Sequence, residues 1–281
     1  MMGRARTPSD VEARPITFLS DYGYEDEFAG VCRSLIARIA PDARVIDITH
    51  GIPRHDVRRG AVSLLDALPH APAGVHLAVV DPGVGTERRA VAARAEADDR
   101  ILVGPDNGLL WLAIEAFGGA VESVDLARSP FRLEPVSATF HGRDVFAPVA
   151  ARLALGVALP EAGEPIDSGS LVRLELPAAR VDGDRVVAEV LHVDGFGNAT
   201  LGLRAEELPE GRLTPGTAFA VEVGGRSHAV TAARTFGDVD QGALLVYEDS
   251  SRRVTVAANG RSAAEALAIA AGDRVVLGSA R

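Results

Sequence analysis

The stretch Ile16-Thr17-Phe18-Leu19-Ser20-Asp21-Tyr22-Gly23 decides the fold, because an apolar run ends abruptly in an acidic turn. Two later β-branched runs, 44–48 and 75–80, also end in polar loops, and the intervening segments, 28–39 and 57–68, are amphipathic with helical spacing. Strands that alternate with helices predict a mostly parallel sheet flanked by helices. Ligands of such sheets bind beyond the carboxyl ends of the strands, so these polar loops are candidate site loops.

The sequence divides into three regions. Residues 14–160 follow the strand and helix alternation and predict an N-terminal α/β domain. Residues 161–184 are rich in proline and glycine and predict a linker. Residues 185–281 contain apolar runs of period two separated by glycine-rich turns, which predict a C-terminal antiparallel β-barrel or sandwich domain.

The charged residues limit the chemistry of the chain. All 29 basic residues among the 281 are arginines, which excludes Schiff-base lysine chemistry and the lysine of a phosphate-binding P-loop. The 39 acidic residues give a net charge of −10, which disfavours nucleic acid or an anionic membrane as partners. A small cationic or zwitterionic ligand fits this charge better.

The sequence shows no signal for a membrane or for secretion. No apolar run approaches the roughly 18 residues of a membrane helix, and residues 1–13 contain arginines without the apolar core of a secretory signal. Cys32 is the only cysteine, so an intrachain disulfide and a zinc site of several thiolates are both excluded. We therefore expect a cytoplasmic protein whose first residues form a tail.

The segment 83–88 resembles part of a dinucleotide-binding fingerprint. It has the first two glycines of that motif, but Arg88 stands where the third glycine is required for close packing of helix and strand. We therefore interpret the segment as a tight turn after a strand and not as a dinucleotide site.

Two histidines raise the question of a metal site. His50 and His55 lie near Asp47 and Asp56, but their spacing in a proline-containing loop presents no single ligand face. We therefore expect no metal there. Asp56 is interpreted as the N-cap of a helix that begins near residue 57.

Three polar motifs remain ambiguous when each is taken alone. Asp21 is either a turn carboxylate or an acceptor of hydrogen bonds from a ribose diol. His141, within the motif 139–144, is a capping or core histidine or a functional group. The motif 194–198 is typical of a hairpin turn.

The order of the motifs along the chain carries more information than any one of them. Six occur in sequence: Ser20-Asp21-Tyr22-Gly23, Asp47-Ile48-Thr49-His50, Val80-Asp81-Pro82-Gly83-Val84-Gly85-Thr86, Gly104-Pro105-Asp106-Asn107-Gly108-Leu109, Thr139-Phe140-His141-Gly142-Arg143-Asp144 and Asp194-Gly195-Phe196-Gly197-Asn198. Together, from about Ile16 to Leu277, they resemble the S-adenosyl-L-methionine (SAM) hydroxide adenosyltransferases, the adenosine-forming SAM hydrolases related to fluorinase and chlorinase. The resemblance implies an N-terminal α/β domain, a C-terminal β-barrel and a homotrimer with active sites between subunits.

The resemblance also implies a reaction. Activated water attacks C5′ of SAM, L-methionine departs from that carbon, and adenosine is formed. In the hydrolase branch an Asp, an Arg and a His hold and activate the water, and these fall on Asp81, Arg88 and His141. Asp81 and His141 are expected to accept the proton and orient the water. Arg88 is expected to stabilise the developing hydroxide and keep Asp81 ionised. No cofactor and no metal is implied.

Substrate contacts are implied in both domains. Asp21 matches the aspartate that binds the ribose hydroxyls, Asp194 the residue near the methionine ammonium, and Asn198 the adenine contact. Ser250 matches a methionine contact. The remaining implied contacts are Asp26, Asn259 and Gly260.

Several positions depart from the halogenases. Their tyrosine and threonine around the halide are Asp81 and Val84 here, and their Tyr-Ser pair is His141-Gly142. A carboxylate beside the nucleophile repels a halide, so water is the consistent nucleophile. The halogenase arginine on adenine is Ala258 and the ribose aromatic is His55, so we expect looser adenine selectivity.

Two alternatives to SAM hydrolysis stay open at this stage. A non-catalytic module that senses adenosine or SAM needs no activation of water. A SAM-dependent halogenase is disfavoured by Asp81 and Gly142. Formation of a product, and the identity of that product, separate the three.

Overall fold

The computed structural model describes residues 13–208 and 211–279 of the chain. The tail expected over residues 1–13 lies, except for its last residue, outside the described residues. The chain forms two compact units, Met1–Leu174 (unit 1) and Glu175–Arg281 (unit 2). None of the helices in the described part of the chain combines the length and apolar character needed to cross a membrane.

Unit 1 is built on one seven-stranded sheet. Its strands are β1 (Ile16–Ser20), β2 (Val45–Thr49), β3 (Val75–Val79), β4 (Ala90–Ala95), β5 (Ile101–Pro105), β6 (Ala120–Asp125) and β7 (Glu164–Ile166). The strand order is β2-β1-β3-β5-β4-β6-β7. β1, β2, β3 and β5 pair in parallel, as predicted, whereas β4, β6 and β7 pair antiparallel. The antiparallel half arises because a short turn joins β4 to β5 and leaves no room for a helical crossover.

Helices cover both faces of this sheet. They are α1 (Phe28–Ile39), α2 (Val57–Ala67), α3 (Trp111–Ala116), α4 (Ala147–Ala154) and α5 (Leu159–Ala162). Successive strand residues such as Phe18 and Leu19 point to opposite faces and are buried in two separate cores. One core contains α1 and α4, and the other contains α2 and α3. The α/β architecture predicted from the sequence is therefore confirmed.

Unit 2 is a closed barrel. Its strands are β8 (Arg180–Asp182), β9 (Arg185–Val193), β10 (Ala199–Arg204), β11 (Ala218–Val223), β12 (Arg226–Ala232), β13 (Leu244–Glu248), β14 (Arg253–Ala258) and β15 (Arg274–Ser279), with one helix, α6 (Ala263–Leu267). The ring β10-β14-β13-β12-β11-β15-β9 closes where β9 pairs with β10, and β8 adds to β9 outside the ring. This confirms the predicted barrel.

One strand pair in the barrel departs from the antiparallel prediction. β12 and β13 pair in parallel, through Thr231 with Leu245 and Ala232 with Val246. The connection 233–243 contains a short 3₁₀ turn at Phe236–Asp238 and returns the chain to the same end of the barrel. A parallel pair needs such a crossover, whereas a tight hairpin always produces an antiparallel pair.

The residues expected to form a linker, 161–184, carry short strands of their own. β7 is the edge strand of the unit 1 sheet, and β8 adds to the barrel of unit 2. Prolines in and around these strands limit their length, because proline cannot donate to a sheet ladder.

A buried histidine links strands β1 and β3 on the sheet. The Nδ1 atom of His76 lies 2.8 Å from the Thr17 hydroxyl, and its Nε2 atom lies 3.2 Å from Arg100 Nη1. Because a guanidinium can only donate, Nε2 accepts and the imidazole is neutral with its proton on Nδ1. Burial, together with the charge of Arg100, lowers the pKa of His76 to about 3.

We expect the free energy of unfolding to fall more steeply below pH 6.5 in the wild type than in a His76→Gln variant. The unfolded chain protonates this histidine near its ordinary pKa of 6.5, while the folded chain keeps it neutral down to about 3. Acid therefore favours the unfolded state between these values, by about 2 kcal/mol from pH 7 to pH 5. Urea unfolding at several pH values measures both slopes, and equal slopes would contradict the assignment.

Candidate active site

A cleft of about 480 Å³ lies in unit 1, lined by loops that follow β1, β2 and β3. The carboxyl ends of these parallel strands meet at one edge of the sheet, which brings their loops together. The lining includes residues of the segment 139–142 as well. Its charged and titratable side chains are Asp21, Tyr22, Asp26, Arg54, His55, Asp81 and His141.

Asp81, Arg88 and His141 form one connected cluster at this cleft. Arg88 donates from Nε to Asp81 Oδ1 over 3.0 Å and from Nη2 to Asp81 Oδ2. The same Nη2 atom lies 3.2 Å from His141 Nδ1. The Asp81 and Arg88 side chains are each only 7% exposed, so the ion pair is shielded from water. The structure thus brings together the three residues that the sequence predicted as catalytic.

The contact with Arg88 decides the tautomer of His141. A guanidinium has no acceptor, so His141 Nδ1 must accept and the proton of the neutral ring is on Nε2. Burial lowers the pKa of His141, and the positive charge of Arg88 adds to that effect. At neutral pH the ring is therefore an uncharged donor through Nε2.

Burial also shifts the pKa of Asp81. It raises the pKa above the ordinary value for an aspartate, while the charge and hydrogen bonds of Arg88 oppose this change. The result is a carboxylate that is more basic than one in water yet remains paired with a cation. Such a group can accept a proton during a reaction near neutral pH.

The loop that carries Asp81 and Arg88 is held by a tight turn. Gly85 has φ +77°, and a Cβ atom there would overlap the backbone carbonyl oxygen of Ala138. This close approach places the loop against the segment that leads to His141. The next element is β4 and not a helix, which confirms the turn interpretation of residues 83–88 and excludes a dinucleotide fingerprint.

His141 precedes a single π-helical turn, Gly142–Phe146, that leads into α4. Turns of this kind inside helices are frequent at functional sites. Asp144 is buried in this turn and accepts a hydrogen bond from the Ser137 backbone N–H over 2.8 Å. It also pairs with the neighbouring Arg143. These bonds fix the loop before His141.

Asn107 supports the site although sequence reasoning assigned it no role. Its Nδ2 atom donates to the Val80 carbonyl oxygen over 2.9 Å, and its Oδ1 atom accepts from the Leu109 backbone N–H over 3.1 Å. Since Val80 immediately precedes Asp81, this amide fixes the backbone that presents the carboxylate. The motif 104–109 was the sequence signal for this residue.

The histidines near β2 have structural partners. His50 is 2% exposed, with Nδ1 2.7 Å from the Ser20 hydroxyl and Nε2 3.3 Å from Asp47 Oδ1. Within residues 13–208 and 211–279 no group of three or more His, Cys, Asp or Glu side chains is arranged to hold a metal. Asp56 caps α2 by accepting from the Arg59 backbone N–H over 2.8 Å, as predicted.

Asp21 and His55 meet at the mouth of the cleft. The His55 backbone N–H donates to Asp21 Oδ2 over 2.9 Å, and His55 has φ +65°, which is unusual for a residue with a side chain. Asp21 lines the cleft as well. Asp26 lines the same cleft from an exposed position.

Unit 2 carries a groove of about 640 Å³. Three predicted contacts line it, Asp194, Asn198 and Gly260, together with Ala258. Aromatic side chains lie beside them: Phe196, Phe236 and Tyr247.

The turn 194–198 joins β9 to β10 and is stabilised by its own carboxylate. Asp194 Oδ1 accepts from the backbone N–H groups of Phe196 and Asn198, both over 2.9 Å. Its Oδ2 accepts from the Asn198 side chain over 2.8 Å. The hairpin interpretation is therefore confirmed, and both predicted residues are positioned by the same bonds.

Two predicted contacts lie away from the lining of this groove. Ser250 is exposed in the turn between β13 and β14. Asn259 donates from Nδ2 to the Val239 carbonyl oxygen over 2.9 Å. Their proposed contacts with substrate stay predictions.

Known proteins resemble the chain over most of its length. The profile of the SAM hydroxide adenosyltransferase N-terminal domain matches residues 16–163, and that of the C-terminal domain matches residues 188–276. A protein of Salinispora tropica named (R)-S-adenosyl-L-methionine hydrolase is 51% identical over 263 residues, covering 92% of this chain and 96% of the relative. A Thermus thermophilus protein of the same name is 44% identical over 280 residues, covering 94% and 99%.

Fluorinases are more distant, at 27–29% identity. Among solved structures, an uncharacterized conserved protein from Thermotoga maritima matches with a TM-score of 0.87 at 35% identity, covering 93% of this chain and 99% of that chain. The N-terminal profile alone spans more than half of the 281 residues, and the motifs that carried the resemblance lie within the two matched regions. The chain belongs to the SAM hydroxide adenosyltransferase family.

Proposed function

We propose that the protein hydrolyses SAM to adenosine and L-methionine by attack of water on ribose C5′. The observation that carries this function is the cluster of Asp81, Arg88 and His141 at the cleft of unit 1. Family membership and the 44–51% identity to proteins named (R)-SAM hydrolase support the same reaction.

The reaction needs a positioned nucleophile more than an acid. The sulfonium of SAM leaves as a neutral thioether, so the C5′–S bond breaks with its electron pair moving to sulfur. The water oxygen forms the new bond to C5′ and loses one proton. The enzyme must therefore hold a water molecule in line with the C–S bond and provide an acceptor for that proton.

In this proposal Asp81 accepts the proton that the attacking water loses, and His141 orients the water. The raised pKa of Asp81 makes its carboxylate a better base than in water. His141 donates from Nε2, because Nδ1 already accepts from Arg88. This division of roles refines the expectation from sequence, in which the two residues shared both tasks. Arg88 keeps the buried Asp81 ionised until the proton arrives.

Substrate binding follows the charge of SAM. The cleft is lined by three carboxylates, Asp21, Asp26 and Asp81, and by one arginine, Arg54. Because Arg88 pairs with Asp81, the negative charge left over is small, and it attracts a cationic ligand. In this proposal Asp21 binds the ribose hydroxyls and Asp26 supports the same subsite. In unit 2, Asp194 binds the methionine ammonium and Asn198 the adenine. The remaining contacts in unit 2 are Ser250, Asn259 and Gly260.

The same cleft disfavours a halide as nucleophile. A chloride or fluoride ion in contact with the Asp81 carboxylate would be repelled by it in a site with little water, and the paired Arg88 offsets only part of that repulsion. The distance in identity between this chain and the fluorinases agrees with that argument. A module that only senses adenosine or SAM has no use for a buried base such as Asp81. Neither the halogenase nor the sensing module is therefore favoured.

The assembly belongs to the proposal as well. We infer a homotrimer in which the cleft of one subunit and the groove of a neighbouring subunit share one substrate, as the family resemblance implies. A closed ring of three identical heterologous contacts satisfies this arrangement. We also place the protein in the cytoplasm, where its single buried Cys32 would stay reduced.

Purified wild-type protein incubated with SAM is expected to produce adenosine and L-methionine in equal amounts. The rate should not depend on chloride or fluoride, because water is the nucleophile. Liquid chromatography with mass detection measures both products and would reveal any 5′-halogenated adenosine. Incubation in ¹⁸O-labelled water should place the label in the adenosine 5′-hydroxyl, and no adenosine above an enzyme-free control would reject the function.

A further inference from the structure

Tyr22 lies two residues beyond the end of β1 and lines the same cleft as Asp81 and His141. Its ring is enclosed by other aromatic rings, with edge contacts to Phe18 and Phe140 at centroid distances of 6.4 and 5.8 Å. A tilted contact to Phe28 at 5.9 Å completes the enclosure. The direction of the phenol group is therefore fixed before substrate binds.

The hydroxyl of Tyr22 has no partner in the described part of the chain. Among the described residues, 13–208 and 211–279, no side chain or backbone group hydrogen-bonds to it, and the one hydrogen bond of this residue is made by its backbone N–H to the Ser20 hydroxyl. The hydroxyl oxygen is also absent from the fully enclosed, unsatisfied polar atoms of that same part of the chain. A polar atom fixed at the cleft without a partner is available to a ligand or to water.

Gly142 makes room for this hydroxyl. A Cβ atom at residue 142 would overlap the Tyr22 oxygen and come within 2.9 Å of the ring carbon that bears it. Residue 142 immediately follows His141, so the phenol oxygen lies against the backbone next to one member of the catalytic cluster. Any side chain at this position would displace the hydroxyl.

The surroundings keep this phenol protonated. Burial raises the pKa of Tyr22 well above its ordinary value of 10, and the negative charges of Asp21 and Asp81 add to the effect. The group is therefore a neutral hydroxyl at neutral pH. It can accept one hydrogen bond while donating another.

We propose that the Tyr22 hydroxyl is a further catalytic residue, which binds the attacking water through the O–H that the water retains. This inference rests on the proposed hydrolysis of SAM. A water molecule has two hydrogens and two lone pairs. Asp81, His141 and C5′ use three of these four positions, and Tyr22 takes the fourth.

The four contacts have separate tasks in the reaction. The water donates one hydrogen to Asp81, which takes that proton, and donates the other to the Tyr22 oxygen. It accepts from His141 Nε2 and uses its last lone pair to form the bond to C5′. The hydrogen on the Tyr22 side remains on oxygen and becomes the 5′-hydroxyl hydrogen of adenosine. Tyr22 thus fixes the direction of the lone pair without a change of its own charge.

A Tyr22→Phe variant tests this role because it removes one oxygen atom and keeps the ring. We expect kcat for SAM to fall about ten- to one hundred-fold, with KM changed less than about two-fold and an unchanged melting temperature. Tyr24→Phe is the matched control, since it removes a phenol oxygen two residues away, outside the cleft lining, where it bonds to the His50 backbone N–H. That variant should keep the wild-type kcat.

A second variant tests the same contact by a different route. Gly142→Ala should also lower kcat, because its Cβ atom displaces the hydroxyl. The loss should be smaller when Gly142→Ala is made in the Tyr22→Phe background, where the overlap with the oxygen is gone and only the 2.9 Å approach to the ring carbon remains. Independent effects of the two changes would overturn the proposal.

Adenosine formation by the wild type distinguishes a failure of the role of Tyr22 from a failure of the proposed hydrolysis. If the wild type forms adenosine and Tyr22→Phe retains kcat within about two-fold, the role of Tyr22 is wrong while hydrolysis stands. A variant that loses activity through KM alone would show that the hydroxyl binds substrate and not the water. If the wild type forms no adenosine, both proposals fail.

Discussion

Replacement of Asp81 by asparagine is expected to lower kcat for SAM about a thousand-fold. An amide is nearly the same size as a carboxylate but cannot accept the proton that the water must lose. It also removes the negative charge from a bidentate pair in which both side chains are 7% exposed, which leaves Arg88 as a buried cation. Single-turnover kinetics with adenosine detection measure the chemical step directly.

The pair of Asp106 and Arg89 offers a matched control for that variant. Arg89 Nε donates to Asp106 Oδ2 over 2.8 Å. The Asp106 side chain is 4% exposed and that of Arg89 is 32% exposed, so Asp106→Asn makes the same chemical change at another buried aspartate. We expect Asp106→Asn to lower the melting temperature and to leave kcat within about three-fold. Equal losses of kcat in the two variants would show that Asp81 acts only through stability.

The pH dependence of the wild type provides a second measure of the role of Asp81. The carboxylate must be ionised to accept a proton, so kcat/KM falls as the pH drops below the pKa of Asp81 in the free enzyme. Burial raises this pKa, and the acid limb should therefore lie above the ordinary range for aspartate. The acid limb should disappear in the residual activity of Asp81→Asn.

Most of unit 1 was predictable because its central parallel strands, β1, β3 and β5, are buried on both faces. β1 and β3 are mostly apolar, interrupted by Thr17, Ser20 and His76, as expected of buried strands. The apolar residues of α1 and α2 recur at helical spacing and are buried. β4 lacked such a signal, because alanines dominate Ala90–Ala95 and fit a helix as well as a strand. The antiparallel half of the sheet depends on that strand.

The cluster of Asp81, Arg88 and His141 could be located from sequence only through the family motifs. Arg88 is seven residues from Asp81, but His141 comes to the same guanidinium from a distant part of the chain. The tautomer of His141 follows from that tertiary contact and has no sequence signal. The place of Tyr22 at the cleft has no sequence signal either, because it depends on residue 142 being a glycine.

Coexpression of two inactive variants is expected to restore activity if the proposed trimer is correct. Asp81→Asn inactivates the cleft of unit 1, and Asn198→Ala removes an adenine contact from the groove of unit 2. The resemblance places the cleft of one subunit with the groove of a neighbour. A mixed trimer then contains one site in which both parts are wild type, whichever variant is in excess.

The amount of restored activity distinguishes the possible assemblies. With two affinity tags, mixed assemblies can be purified, and a trimer should have about one third of the wild-type kcat per subunit, whereas a dimer with shared sites should have about one half. Sites formed within one chain would give no restoration. Coexpression of Asp81→Asn with His141→Ala is the control, because both changes lie in unit 1 and no mixed site is intact. A mass near three times the 29.3 kDa of the chain must accompany the one-third value. The contact between the cleft of one subunit and the groove of the next restores activity, and three such contacts close the trimer.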